Sequence, residues 1–128
     1  MLEAVTDGVK VSVLPTFQPH ESSYEQQVFI FSYQITITNQ SPFAVQLLKR
    51  HWKIKDSNGD TQEVIGDGVV GEQPIIPPGD SHTYRSFCNL RTDIGFMSGK
   101  YLMEKKSNNN LFEVNIPKFS LEVPYRKN

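Results

Sequence analysis

Gly66, Gly68 and Gly71 reproduce the spacing Gly-x-Gly-x-x-Gly. In a dinucleotide site those glycines let the backbone approach a pyrophosphate, and a helix N-terminus supplies positive potential. That chemistry needs a helix to begin inside the motif. Here Val69 and Val70 are β-branched, and Pro74, Pro77 and Pro78 follow too closely for a helix. Two other roles stay open. The glycines can serve a turn or bulge through positive φ. Alternatively, the backbone N–H groups of Gly66, Asp67, Gly68 and Gly71 can form an anion loop without any helix. The second role makes Gly66 to Gly71 a candidate site for a phosphate, a nucleotide, or a divalent cation held by Asp67 or Glu72.

The other reactive side chains form no recognisable set. Asp56, Asp60, Glu63, Asp67, Glu72 and Asp80 make the centre of the chain acidic, and such oxygens suit a hard cation. Their spacing is not that of a calcium loop, and Asp56 and Asp60 flank a turn, where aspartate is favoured for its local hydrogen bonds. His20, His51 and His82 are scattered without close partners, so no zinc site is expected. Cys88 is the only cysteine. It reads as a small buried hydrophobe rather than a nucleophile, and it excludes an internal disulfide, which fits a reducing, cytoplasmic setting. No base, nucleophile and orienting group can be named together, so no enzyme and no cofactor are expected.

Composition narrows the partner classes. With 128 residues, 38% hydrophobic and 21% charged, and a net charge of -1, the chain reads as one ordinary globular domain spanning 1-128. Nucleic-acid binding by bulk charge is disfavoured. No apolar run approaches the ~20 residues of a membrane span, and Met1 to Lys10 lacks the apolar core of a secretory signal, so no membrane partner is expected.

The elements that would position these residues are strands. Val9, Val11 and Val13 alternate with polar neighbours in a first strand reaching Phe17, and Phe29, Phe31, Tyr33, Ile35 and Ile37 mark one face of a long strand from Gln27 to Asn39. Val45 to Lys55 follows. Leu48, Arg50, Trp52 and Ile54 lie on its core face, and Lys49, His51, Lys53 and Lys55 on a basic, solvated face. Trp52 is expected in the core, and Arg50 beside it must find a carboxylate or carbonyls. Asn58-Gly59 predicts a hairpin in which both central residues take positive φ. Thr61 to Ile65 is its return arm. Ser81 to Leu90 is a strand burying Tyr84, Asp93 to Gly99 a glycine-broken stretch, Gly99 to Lys106 a strand, and Leu111 to Val123 a strand pair interrupted at Pro117. No helical period persists, so the fold class is an all-β antiparallel sandwich with little or no helix.

The centre of the chain resembles the ApaG family. Val45-Gln46-Leu47-Leu48, Arg50-His51-Trp52, Gly66-x-Gly68-Val69-Val70-Gly71-x-Gln73-Pro74 and Pro78-Gly79 stand in the family's order. Phe31-x-Tyr33, Ile35-Thr36-Ile37-x-Asn39, Gly95-x-Met97-x-Gly99-x-Tyr101, Phe112, Ile116-Pro117-x-Phe119 and Pro124 extend the likeness over nearly the whole chain. The resemblance implies an immunoglobulin or fibronectin type III-like sandwich, and an indirect link to cobalt and magnesium homeostasis. Related domains occur in F-box proteins and in a DNA polymerase delta-interacting protein, which implies protein contacts. The leading expectation is therefore a non-enzymatic module for protein-protein interaction, using a sheet edge or end loops and an aromatic patch drawn from Phe43, Phe96 or Tyr125. The small-ligand module at Gly66 to Gly71 is the alternative. A homodimer through an exposed edge is also expected as an option.

Overall fold

The structure, a computed structural model, describes residues 2-127. Leu2–Thr6 (β1) and Val9–Phe17 (β2) form a hairpin, followed by Phe29–Asn39 (β3), Val45–Asp56 (β4), Thr61–Asp67 (β5), Ile75–Ile76 (β6), Ser81–Leu90 (β7), Ile94–Lys105 (β8) and Leu111–Glu122 (β9). Helix is confined to 3-10 turns at Pro19–Glu21 and Pro124–Lys127. One sheet has the order β1-β2-β3-β7 and the other β5-β4-β8-β9, with β6 also on β4. All pairings are antiparallel, so the fold is the immunoglobulin or fibronectin type III-like sandwich expected.

The clean alternation of β3 explains why it lies at the centre of its sheet. Phe29, Phe31, Tyr33, Ile35 and Ile37 are all buried, and Ile35 pairs with Val13 on one side and Tyr84 on the other. Trp52 is buried as expected, its ring 5.3 Å from that of Tyr33 and 6.0 Å from that of Phe119 in edge-on contacts between the sheets. Burying such side chains contributes about 1.5–3 kcal/mol each.

Four local expectations need correction. β1 was not foreseen, although its turn at Asp7-Gly8 carries positive φ at both residues. The hairpin at Asn58-Gly59 exists, but Gly59 alone has positive φ: its N–H and the carbonyl of Asp56 close a turn, and Asp56 N–H then donates to the Asp60 carbonyl. β8 runs unbroken from Ile94. β9 is one strand through Pro117, because its register with β8 slips between Met97 and Gly99 and a bulge tolerates the missing N–H.

Two buried polar residues fasten the ends of strands. Asn39 is fully buried, and its Nδ2 donates to the carbonyls of Phe43 (2.7 Å) and Ile76 (2.9 Å), while its Oδ1 accepts from the N–H (3.0 Å) and Oγ (2.6 Å) of Ser41. Asp56 accepts from the N–H of Arg91 (2.7 Å), the N–H of Ser57 (3.0 Å) and the hydroxyl of Thr92, tying the end of β4 to the corner between β7 and β8.

Candidate functional site

β5 and β6 are two parts of one edge along β4, and the glycine segment is the excursion between them. β5 pairs with Lys49 to Lys55, whereas β6 pairs with Val45 and Gln46. Between these pairings β4 carries a bulge at Leu47/Lys49. The Leu48 carbonyl accepts from Gly68 N–H (2.8 Å) and from Gln73 Nε2 (3.0 Å), which staples the excursion to the bulge. Val69 and Glu72 exchange backbone hydrogen bonds of 2.8 and 3.0 Å around a two-residue turn, with φ of 48° at Val70 and 78° at Gly71. The turn with positive φ at both central residues therefore sits here and at Asp7-Gly8, not at Asn58-Gly59. A β-branched residue is strained at positive φ, so the closing pair of hydrogen bonds must hold Val70 there.

This geometry locates the four candidate anion-loop residues. Gly66 and Asp67 lie in β5 opposite Arg50 and Lys49. Gly68 takes φ of 61°, and a Cβ there would overlap the Glu72 carbonyl oxygen. Gly71 is at the exposed tip. The N–H groups of Gly68, Val69 and Glu72 all donate to backbone carbonyls, and those of Val70 and Gly71 take no part in these bonds. Arg50 meets the carbonyl contacts expected of it: its guanidinium donates to Asp67 O and Gly68 O, each at 3.0 Å. The loop thus turns carbonyls, not N–H groups, toward its basic neighbour. Glu72 Oε2 stands 3.8 Å from His82 Nε2, connecting the loop to β7.

Behind Arg50 lies a polar interior. The hydroxyls of Tyr84 and Tyr101 hydrogen-bond to each other. Burial pushes both well above the usual tyrosine range, and Tyr33 also rises, chiefly by burial. Burial first, and the Asp56 charge second, push the Cys88 thiol up to about 11. At neutral pH these groups are protonated, so Cys88 is not a thiolate nucleophile. Among the described residues no three His, Cys, Asp or Glu side chains are grouped to hold a metal ion.

The two sides of the sandwich differ. On one, β1 and β2 pack over β9, and Asn115 N–H donates to Thr6 Oγ1. On the other, β5 and β7 are both sheet edges with no strand beyond them among the described residues. A cleft of about 600 Å³ lies between them, with Ile54, Val64, Phe87 and Leu90 as its apolar lining and Asp56, Asp60, Gln62 and Arg91 as polar neighbours. Val64 is 36% exposed and Phe87 55%, and Ile65 on the outer face of β5 reaches 66%. The three expected patch aromatics do not come together. Phe43 sits under Lys105 and Phe96 under Lys118, at opposite ends of β8, while Tyr125 donates its hydroxyl to Asp93 and stacks near Tyr24. Sequence reasoning missed the cleft, because an edge is defined only by pairing. The run of exposed residues in β5, with Val64-Ile65 adjacent, was the available signal.

No helix among the described residues is long and apolar enough to cross a membrane. The ApaG domain matches residues 19-105. A Brucella canis protein named Protein ApaG is 46% identical over 127 residues, covering 99% of this chain and 97% of its own. Its Methylocella silvestris counterpart is 47% identical over 125 residues, covering 98% and 95%. The crystal structure of an ApaA protein from Bordetella pertussis superposes with a TM-score of 0.88 at 42% identity, covering 91% of this chain and 94% of the other. The chain belongs to the ApaG family.

Proposed function

We propose that this chain is a non-enzymatic binding module that takes an extended segment of a protein partner on its open β5/β7 side. The observation that carries this reading is the cleft between two unpaired edges, where Ile54, Val64, Phe87 and Leu90 stand beside polar side chains. An added strand can use the free row of N–H and C=O groups of β5 or β7 for affinity. Side chains of that strand turned into the cleft would meet Val64, and those turned to the outer face of β7 would meet Phe87, which gives selectivity. A cobalt or magnesium phenotype, where the family has one, would then act through the partner rather than through a metal centre in this domain.

The test compares capture of partners by the wild-type chain with capture by a Val64→Asp, Phe87→Asp double variant, followed by amide exchange on any complex obtained. Both positions are exposed, so the variant is expected to fold. Loss of capture, together with new protection in Thr61–Asp67 or Ser81–Leu90, supports the reading. Protection confined to other strands, or equal capture by the variant, overturns it. A second copy of the chain could occupy the same edge, and sedimentation would then show a dimer that the double variant abolishes.

The alternative is a phosphate or cation at Gly66 to Gly71, and it rests on the exposed turn at Val70 and Gly71, whose N–H groups take no part in the turn's own hydrogen bonds. Titration with phosphate and Mg²⁺ distinguishes it, since saturable shifts would be confined to residues 66-72.

A further inference from the structure

The outer face of the second sheet carries a different feature, independent of the cleft. Lys49, His51, Lys53 and Lys55 alternate outward along β4, which by itself describes a solvated face. Pairing adds Lys100 from β8 and Lys118 from β9. A basin of about 300 Å³ opens among these strands, lined by His51, Lys53, Ser98, Lys100, Asn115 and Lys118 over a floor of Gly99 and Ile116. It is concave for a structural reason. The β8/β9 bulge sets Ser98 against Pro117 and Lys118, and Gly99 pairs with the buried Trp52 and Ile116, so these positions turn to the core and leave backbone on the outer face. Backbone thus forms the floor and long cationic side chains the walls.

The charge around this basin is unbalanced, although the chain as a whole is near neutral. Glu63 pairs with His51 at 3.0 Å, and Glu113 with Lys100 at 2.9 Å. Among the described residues, Lys53, Lys55 and Lys118 have no carboxylate within ion-pair distance. Across Lys53, Ser98 and Lys118 the basin continues into a second hollow of about 410 Å³, which holds Lys55, Thr61, the 36% exposed ring of Phe96 and one carboxylate, that of Glu63. Lys118 Nζ lies 5.2 Å from the centre of that ring.

We infer that this basin binds a short phosphate chain, either free or as part of a nucleoside polyphosphate. Lysine ammonium groups, a serine hydroxyl and an asparagine amide form a set of hydrogen-bond donors suited to phosphate oxygens. A concave wall of one charge sign focuses potential, and separated ammonium groups match successive phosphates better than they match one monoanion. The volume lies at the small end of ligand sites, roughly 300–1,000 Å³. A polypeptide fits this surface less well, because β4 and β8 beneath it are already paired on both sides and offer nothing for main-chain recognition.

The test is an NMR titration of labelled protein with sodium tripolyphosphate and, in a second arm, magnesium-free ATP, each in low salt and again in ~150 mM salt. Saturable shifts at residues 51-53, 98-100 and 115-118 are expected, without a matching response at 66-72. The Lys53→Glu, Lys118→Glu double variant is expected to bind at least about tenfold more weakly. Lys10→Glu, on the other sheet, is expected to leave affinity within about twofold. Shifts that reach Phe96 and tighter binding of ATP assign the phosphate chain to a nucleotide, whereas equal affinities assign the chain alone. Non-saturating shifts spread over all lysines, or unchanged binding by the double variant with its fold intact, overturn the assignment.

Discussion

Asn39→Ala is expected to cost about 3 kcal/mol, although Asn39 touches no candidate ligand surface. Its amide joins four segments: the end of β3, the 40-44 loop, β6 through Ile76, and, by its backbone, the turn at 77-80, where Gly79 N–H donates to its carbonyl and its N–H to Asp80 O. Truncation removes four side-chain hydrogen bonds. Those to Ser41 and Phe43 lie near the surface, where water can replace them, so each is worth at most about 1 kcal/mol. The bond to Ile76 O is buried, and its orphaned carbonyl costs about 1–3 kcal/mol by itself. For a chain of this length the sum corresponds to a fall in Tm of roughly 10 °C. Asn39→Asp sharpens the test by adding pH dependence. A carboxyl in that position faces the carbonyls of Phe43 and Ile76 and must stay protonated to donate, so its folded pKa is raised above the unfolded ~3.9. The deficit of this variant is then smallest below pH ~4. As pH rises toward the folded pKa, the unfolded state ionises first and stability falls by about 1.4 kcal/mol per unit. Urea unfolding of both variants and the wild type from pH 4 to 7 measures this. A loss under ~1 kcal/mol for Asn39→Ala, or a difference between Asn39→Asp and wild type that is flat with pH, refutes the reasoning.

The glycine segment gives a contrast between two positions of similar φ. Gly71→Ala meets open space and is expected to cost about 1 kcal/mol for the left-handed backbone alone. Gly68→Ala also strikes the Glu72 carbonyl and is expected to cost about 3 kcal/mol or more, read by thermal unfolding of the pair. Asp56→Ala leaves the N–H groups of Ser57 and Arg91 without their carboxylate and is expected to lose about 2–4 kcal/mol, with amide exchange accelerating first at Arg91 and Thr92. Alkaline stability follows from the raised groups. Cys88 titrates near 8.5 when unfolded and about 11 when folded, so its protonated form favours the fold. Stability is fully present below pH ~8.5 and declines above it, joined above pH ~10 by Tyr33, Tyr84 and Tyr101. Urea midpoints between pH 8 and 10 should fall less steeply in Cys88→Ala than in the wild type.

What was legible in the sequence was whatever one strand decides alone. The two-residue period of β3 fixed its core face, and the isolated polarity of Arg50 on a core-facing position required acceptors, which the structure supplies as the carbonyls of Asp67 and Gly68. Where two strands decide together, local signals misled. Gly99 looked like a strand break, yet it is a glycine because the β4 backbone passes too close for any side chain. Pro117 looked like an interruption, yet it occupies a bulge where no ladder hydrogen bond is needed. Asp7-Gly8 carried a strong hairpin signal and was passed over, because the short, mostly exposed run Leu2–Thr6 lacks the two-residue alternation that marks a strand to return to. The open cleft and the basic basin needed three or four strands in known order, and no spacing along the chain encodes that.

The Gly-x-Gly-x-x-Gly spacing shows why a motif cannot be read without its elements. In a dinucleotide site the glycines let a ligand approach, whereas here Gly68 lets the chain approach itself, placing its N–H on Leu48 O and its carbonyl under Arg50. The same absence of a side chain answers two opposite demands. It follows that the staple and the outer-face lysines can be perturbed separately. Changes at Gly68 or Arg50 should loosen the edge on which β5 and β6 lie, and so act on any strand-adding partner indirectly. The lysines of the outer face lie across the sheet from that staple, and their exchange for acidic residues should leave the cleft intact. A variant set crossing Gly68→Ala with Lys53→Glu therefore distinguishes one shared surface from two. Additive effects on stability, with each variant impairing a different ligand, indicate two surfaces. Coupling between them would mean that edge and face report on one site.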